Sequence, residues 1–137
     1  MTSSVTIKSH PRHLPVARAL VRQAAAAAAL DEQSAYDLTL AVDEACANII
    51  RHAYQNDPSQ DITITATVND DAIEFRIRDF GRQVDPACIK PRDLDDVRPG
   101  GLGCVFIRRA FDEIAYDTNF PSGTELRLIR HRRRAVK

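Results

Sequence analysis

The chain has no excess charge of either sign: nineteen basic residues balance nineteen acidic ones. No overall field therefore draws it toward nucleic acid or a membrane surface. Long apolar runs are missing too, and nothing approaches the roughly 20 consecutive apolar residues that a bilayer span needs. Met1-Thr2-Ser3-Ser4-Val5 shows no basic region followed by an apolar stretch, so no secretory signal is expected. Cys46, Cys88 and Cys104 stand far apart without a CxxC pair. That spacing argues against zinc ligation and a disulfide framework, and it favours a reducing cytoplasm. Cys46, inside a helical pattern, reads as a small core residue. Internal repeats are absent, and the only low-complexity stretch is the alanine run at 24–29.

What is present fits one domain over residues 1–137, since domains cluster near about 100–150 residues. A chain of this length buries roughly two-thirds of its unfolded surface, enough for one core without staples. Val5-Thr6-Ile7 alternates before the breaker His10-Pro11 and predicts a short first strand. Leu14 to Leu30 is alanine-rich, and alanine has the best intrinsic helix propensity. Asp31 to Ser34 marks a break, with Ser34 as the expected N-cap. Leu38, Ala41, Val42, Ala45, Cys46, Ile49, Ile50 and Ala53 recur at helical spacing, which predicts a second helix over about 35–54. Ile62, Ile64, Ala66 and Val68, then Ile73, Phe75 and Ile77, alternate with polar residues across Asn69-Asp70-Asp71. This is a hairpin with one buried face. Residues 80–100, rich in proline, glycine and acid (Asp93, Asp95, Asp96), read as a mobile loop with a short helix near Pro86–Lys90. A third helix is expected from Cys104 to about Asp112, then strands at Glu113–Tyr116 and Thr124–Arg130. This order predicts an α+β two-layer sandwich: a mixed, mostly antiparallel sheet with helices on one face. The basic run from His131 through Arg134, with Lys137, reads as a solvated tail over 131–137.

Three constellations carry chemistry. Glu44 and Asn48 are four apart and so are stacked neighbours on one side of the second helix. They offer hard oxygen ligands and a potential general base together, and Mg²⁺ needs only one or two such protein groups. A solvated polar face would look the same. Counting by twos from Ile73 puts Asp79 on the apolar face of its strand, where a carboxylate needs compensating donors. Gly81 would let a ligand or a second backbone come close. A turn-capping aspartate is the plainer alternative. Thr124 stands two residues before Leu126, so if the last strand runs antiparallel beside Ile73–Asp79, Asp79 and Thr124 meet. An acceptor and a hydroxyl framed by aliphatic residues suit a flat heterocycle carrying an amino group. Gly100-Gly101-Leu102-Gly103 opens the third helix, and free N–H groups there form a ready phosphate site, although local turns also use glycine.

Taken together, these residues resemble the GHKL (Bergerat-fold) ATPase superfamily, and most closely its anti-sigma factor serine kinase branch. Ala41-Val42-Asp43-Glu44-Ala45-Cys46-Ala47-Asn48-Ile49-Ile50-Arg51-His52-Ala53-Tyr54 resembles the asparagine box. Asp79-Phe80-Gly81 resembles the first glycine box. Pro99-Gly100-Gly101-Leu102-Gly103, with Ile107 and Asp112-Glu113, resembles the second. The resemblance implies that Glu44 is the general base, that Asn48 ligates Mg²⁺, and that Asp79 accepts from the adenine amino group with Gly81 beneath the base. Gly101, Leu102 and Gly103 would hold phosphates of ATP, Thr124 would help bind adenine, and residues 84–100 would form the lid. Asp43 and His52 belong to the motif without an assigned role. Gln83 stands where the first glycine box often has its second glycine, and Val84-Asp85-Pro86 follows as in variant relatives.

The implied function is that of a cytoplasmic protein-serine kinase acting on an anti-sigma-factor antagonist and sequestering a sigma factor. Direct nucleic-acid or membrane binding is not expected, and a homodimer rests on family analogy alone. The Gln83 departure motivates an alternative, a nucleotide-dependent partner-switching module without phosphate transfer. A histidine kinase catalytic domain is a third reading, but no dimerisation helix pair or phosphoacceptor segment is visible. A fold that binds no nucleotide is the fourth.

Overall fold

Period-two alternation decides the sheet. The computed structural model describes residues 1–83 and 101–132, with the backbone alone for 101–104. Five strands, β1 (Thr2–Lys8), β2 (Asp61–Val68), β3 (Ala72–Asp79), β4 (Glu113–Asp117) and β5 (Glu125–His131), form one sheet. Their order is β1-β2-β3-β5-β4, and every one of these pairings is antiparallel. The α+β two-layer expectation holds, while the parallel component of a mixed sheet is absent among the described residues. Ile62, Ile64 and Ala66, Ile73, Phe75 and Ile77, and Leu126 and Leu128 are buried on one face. The opposite face carries cross-strand hydroxyl pairs such as Ser4–Thr65 and Thr6–Thr63. β1 outruns the expected Val5–Ile7 because its register with β2 is continuous from Thr2 to Lys8.

α1 (Leu14–Ala27), α2 (Glu32–Asn48) and α3 (Gly101–Ala110) supply the other layer. Ala17, Ala24, Leu38, Val42, Cys46 and Ile107 join the inner-face strand residues in one core cluster. Cys46 is fully buried, and burial pushes its thiol up to about 12. The N-cap of α2 is Asp31, not Ser34. The backbone at Asp31 is extended, and its carboxylate accepts from the Ser34 N–H at 2.7 Å. Ser34 lies in the first turn instead, where its hydroxyl accepts from Arg130 at 3.0 Å. α2 stops at Asn48, short of the expected Tyr54, and continues as a π segment over Ile49–Ala53. The Tyr54 N–H reaches back to the Ile49 carbonyl at 3.0 Å, one residue wider than an α-helical bond. α3 begins at Gly101, ahead of the expected Cys104, and ends at Ala110.

Residues from the expected tail are partly docked. Arg132 donates to the Ala28 carbonyl at 3.1 Å and to the Asn69 carbonyl at 2.7 Å. This places a cation against the C-terminal end of α1, where the helix dipole favours it. The expected loop and lid over 84–100, the helix near Pro86–Lys90, Cys88, the acidic cluster and residues 133–137 all lie outside the described residues. No helix among the described residues is long and apolar enough to cross a membrane.

α1 ends in a Schellman motif: Leu30 N donates to Ala25 O and Ala29 N to Ala26 O, both at 3.0 Å. The left-handed position is occupied by Ala29, with φ of 56°. An L-residue there costs about 1 kcal/mol that glycine does not. Ala29→Gly should therefore raise the melting temperature by about 4 °C, as read by calorimetry.

Candidate functional site

β3 and β5 bring the first two predicted site residues together. Their register pairs Arg78 with Glu125 and Ile77 with Leu126, so the next rung is Asp79 opposite Thr124. The Asp79 N–H donates to the Thr124 carbonyl at 3.0 Å, and both residues are buried. Asp79 is only 4% exposed, at the rim of the apolar face, as the alternation predicts. Burial raises the pKa of its carboxyl, opposed by the Gly81 N–H, the charge of Arg78 and the Thr124 N–H. The Gly81 N–H donates to Asp79 Oδ1 at 3.0 Å.

Gly81 is required by close packing. A Cβ there would sit 2.5 Å from the Ala53 carbonyl oxygen and 2.8 Å from the Tyr54 ring. The second backbone that approaches is therefore the π segment ending α2. Three further bonds fasten the same contact. Phe80 N donates to Tyr54 Oη at 2.7 Å, Arg82 N to Ala53 O at 3.1 Å, and Arg82 Nε to His52 O at 2.9 Å. Tyr54 Oη in turn donates to the Asp61 carbonyl at 2.5 Å. The role left open for His52 is thus partly a backbone one.

On α2, Glu44 and Asn48 converge on one cation. Arg51 Nη2 donates to Glu44 Oε1 at 3.1 Å and to Asn48 Oδ1 at 2.7 Å. Arg51 received no role from the sequence, although its offsets of three and seven from Asn48 and Glu44 put it on the same helix side. Asp43, also unassigned, is turned away toward α1, where Arg18 Nε holds its Oδ1 at 2.7 Å. No cluster of three or more His, Cys, Asp or Glu residues suited to a metal occurs among the described residues. Among the described residues, the oxygens of Glu44 and Asn48 are hard donors of the kind Mg²⁺ accepts, given that this ion keeps water and phosphate oxygens.

The direction of α3 follows from its far end. Arg130 donates to the Ala110 carbonyl at 3.3 Å and to Ser34 Oγ at 3.0 Å, joining the end of α3 to the start of α2. The two helices pack against each other. Hence the first turn of α3, with Gly101, Leu102 and Gly103, points toward the Asn48 end of α2, the end that touches Phe80 and Gly81. A separate groove of about 510 Å³ between α1 and α2, lined by Arg18, Arg22, Glu32, Tyr36 and Asp43, contains none of the predicted site residues.

An antiparallel five-stranded sheet layered by three helices, with a buried aspartate at a strand end and a glycine-led helix, defines the class of this protein. The chain belongs to the histidine kinase-like ATPase domain family, whose model matches residues 7–130. It is similar to serine-protein kinase RsbW of Oceanobacillus iheyensis, at 29% identity over 122 residues, covering 83% of this chain and 77% of that protein. It is also similar to the anti-sigma F factor of Anoxybacillus flavithermus, at 29% identity over 106 residues, covering 74% and 71%. Among solved structures, the RsbU and RsbW domains of a Mycobacterium tuberculosis protein superpose with a TM-score of 0.66 at 18% identity. That match covers 96% of this chain but 32% of the other, so this chain spans about a third of the solved one. This last likeness is one of fold.

Because the Asp79 pKa is raised by folding, its contribution to stability is present at low pH and is lost as pH rises through the folded value. Asp79→Asn should remove that dependence, leaving neutral-pH stability equal or higher. Melting curves across pH read the effect. Gly81→Ala should destabilise by about 2 kcal/mol, since its methyl meets backbone rather than a flexible side chain. Urea unfolding measures that loss.

Proposed function

We propose that this protein binds ATP with Mg²⁺ and acts as an anti-sigma factor that phosphorylates a serine of an anti-sigma-factor antagonist. The observation that carries the reading is the convergence of Glu44 and Asn48 oxygens on a single cation, Arg51, at the end of α2 that meets Gly81. Family membership and relatives named as serine-protein kinase and anti-sigma factor support it.

In this reading Asp79 accepts a hydrogen bond from the adenine amino group, and Thr124 lies beside it on the facing strand. Gly101, Leu102 and Gly103 hold phosphate through the N–H groups of the first turn of α3, where the helix dipole adds positive potential. Asn48 supplies a metal oxygen ligand. Mg²⁺, when bound, neutralises phosphate charge. Glu44 accepts the proton of the partner's serine hydroxyl as that oxygen bonds the γ-phosphorus and ADP departs. Phosphoryl transfer needs mainly positioning and charge stabilisation, so a small open site suffices. Arg51 keeps the two oxygens convergent and yields them to the divalent ion. A sigma factor is the second protein partner, bound while the antagonist is absent.

With radiolabelled ATP, Mg²⁺ and the cognate antagonist, the wild type should transfer label to serine. Glu44→Ala should lower the rate by roughly 10²-fold or more, the usual contribution of a general base. Equal transfer by the two proteins would sink the kinase reading. ATP binding without any transfer would instead favour a partner-switching module.

A further inference from the structure

Gln83 departs from the glycine that resembling sites often carry, and its surroundings give that departure a purpose. Its side-chain Nε2 donates to the carbonyls of Thr118 at 2.7 Å, Gly123 at 3.0 Å and Phe120 at 3.2 Å. All three acceptors belong to the turn between β4 and β5. A primary amide nitrogen carries two N–H groups, so one of these bonds is shared between acceptors. Glycine at this position could offer no donor to them.

The neighbouring residue is fastened to the opposite side. Arg82 holds the carbonyls of Ala53 and His52 at the end of α2. Residues 82 and 83 therefore tie α2 and the β4–β5 turn to the same two-residue stretch of backbone. That turn is also pressed onto Asp79. Gly123 has φ of +79°, and a Cβ there would lie 2.0 Å from the Asp79 carbonyl oxygen. Arg78 adds a second fastening: Nη2 donates to the Ser122 carbonyl at 3.2 Å. Its guanidinium is stacked between the rings of Phe80 and Phe120, 4.4 and 3.9 Å from their centroids. Thr124 follows this turn directly, so the fastening of the turn sets where Thr124 stands relative to Asp79.

We propose that Gln83 is a positioning residue, which staples the β4–β5 turn so that Thr124 and the Asp79 carboxylate keep the spacing that selects an adenine base. This rests on the reading that ATP binds at those two residues. Gln83 does not touch the base itself. Its amide fixes the backbone on which one side of the base site is built, and the selectivity of that site for a 6-amino purine depends on the spacing.

Gln83→Glu keeps the shape, removes both donors and sets a carboxylate against three carbonyls, whereas Gln83→Gly restores the common residue. Two readouts are needed on folded full-length protein, checked by circular dichroism. The first is hydrogen exchange at the Asp79 and Phe120 amides without nucleotide, since these donate to the Thr124 and Thr118 carbonyls. The second is the calorimetric Kd for ATP and for GTP, which presents a 6-oxo group in place of the amine. In both variants exchange should quicken about tenfold and ATP should bind about tenfold more weakly, one decade being the effect of losing a net hydrogen bond or two. GTP affinity should change less, so the ATP-to-GTP preference falls. Unchanged exchange would overturn the staple. Faster exchange with an unchanged ATP-to-GTP ratio would overturn the positioning role, since a merely structural tie leaves selectivity alone. No ATP binding by the wild type would defeat the preceding functional reading and the positioning role with it, and the exchange arm would then decide the staple alone.

Discussion

A carboxylate held at the buried end of an apolar strand face is the constraint on which the site depends. Left without donors, such a group is expensive to bury. Asp79 obtains one from the Gly81 N–H, which obliges the chain to turn immediately after β3. Turning there drives Gly81 against the Ala53 carbonyl, close enough that no side chain fits. The Ala53 carbonyl is presented in turn by the π segment that widens the end of α2. Tyr54 completes the circuit, accepting from Phe80 N and donating to the Asp61 carbonyl at the start of β2. One buried acid thus explains a glycine, a helix irregularity and a tyrosine hydroxyl that are far apart in the chain.

How much of this could be read from the sequence divides along physical lines. Periodic features were legible. The alternation in 62–68 and 73–79 gave the hairpin and its buried face, and extending it by one step placed Asp79 correctly. The assumed adjacency of the last strand holds, so Thr124 does meet Asp79. Features that depend on a contact between distant backbone groups left no periodic trace. The π segment conserves the apolar spacing that made 35–54 look like one helix. Ser34 looked like the cap because serine favours that position, but Asp31 takes it and Ser34 turns to Arg130, a partner 96 positions away. Arg51 was the avoidable omission, since offsets of three and seven are readable on any helical projection. Gln83 reads in the sequence only as a missing glycine, because the carbonyls it serves are more than thirty residues downstream.

Arginines at the C-terminal end of β5 give the helical layer its direction. Arg130 joins the C-terminal end of α3 to the first turn of α2, and Arg132 donates to the Ala28 carbonyl at the C-cap of α1. Cations at helix C-termini are favourable, and each here also bridges to a second element. With α3 anchored at its C-terminal end, its opposite end must run toward Asn48. The position of a helix start rich in free N–H groups is therefore set by contacts about a helix length away from it, some 15 Å for ten residues. Altering those contacts would move the start of α3 without touching any residue in it.

The charge arrangement at the end of α2 orients side chains more than it stabilises the fold. Arg51 is 45% exposed at its side chain and Glu44 25%, so their pair is largely solvated. Ion pairs of this kind contribute about 0–1 kcal/mol, because water and salt screen them and two long side chains must be held still. Their presence is therefore a poor account of stability and a better account of orientation. A guanidinium presents several donors in one rigid plane, so a single arginine can keep a carboxylate and a carboxamide oxygen pointed at the same spot. Hard divalent ions bind oxygens that are already convergent more readily than oxygens that must first be gathered. A weak, exposed arginine clamp gathers them at little expense, as the proposed metal role of Asn48 requires.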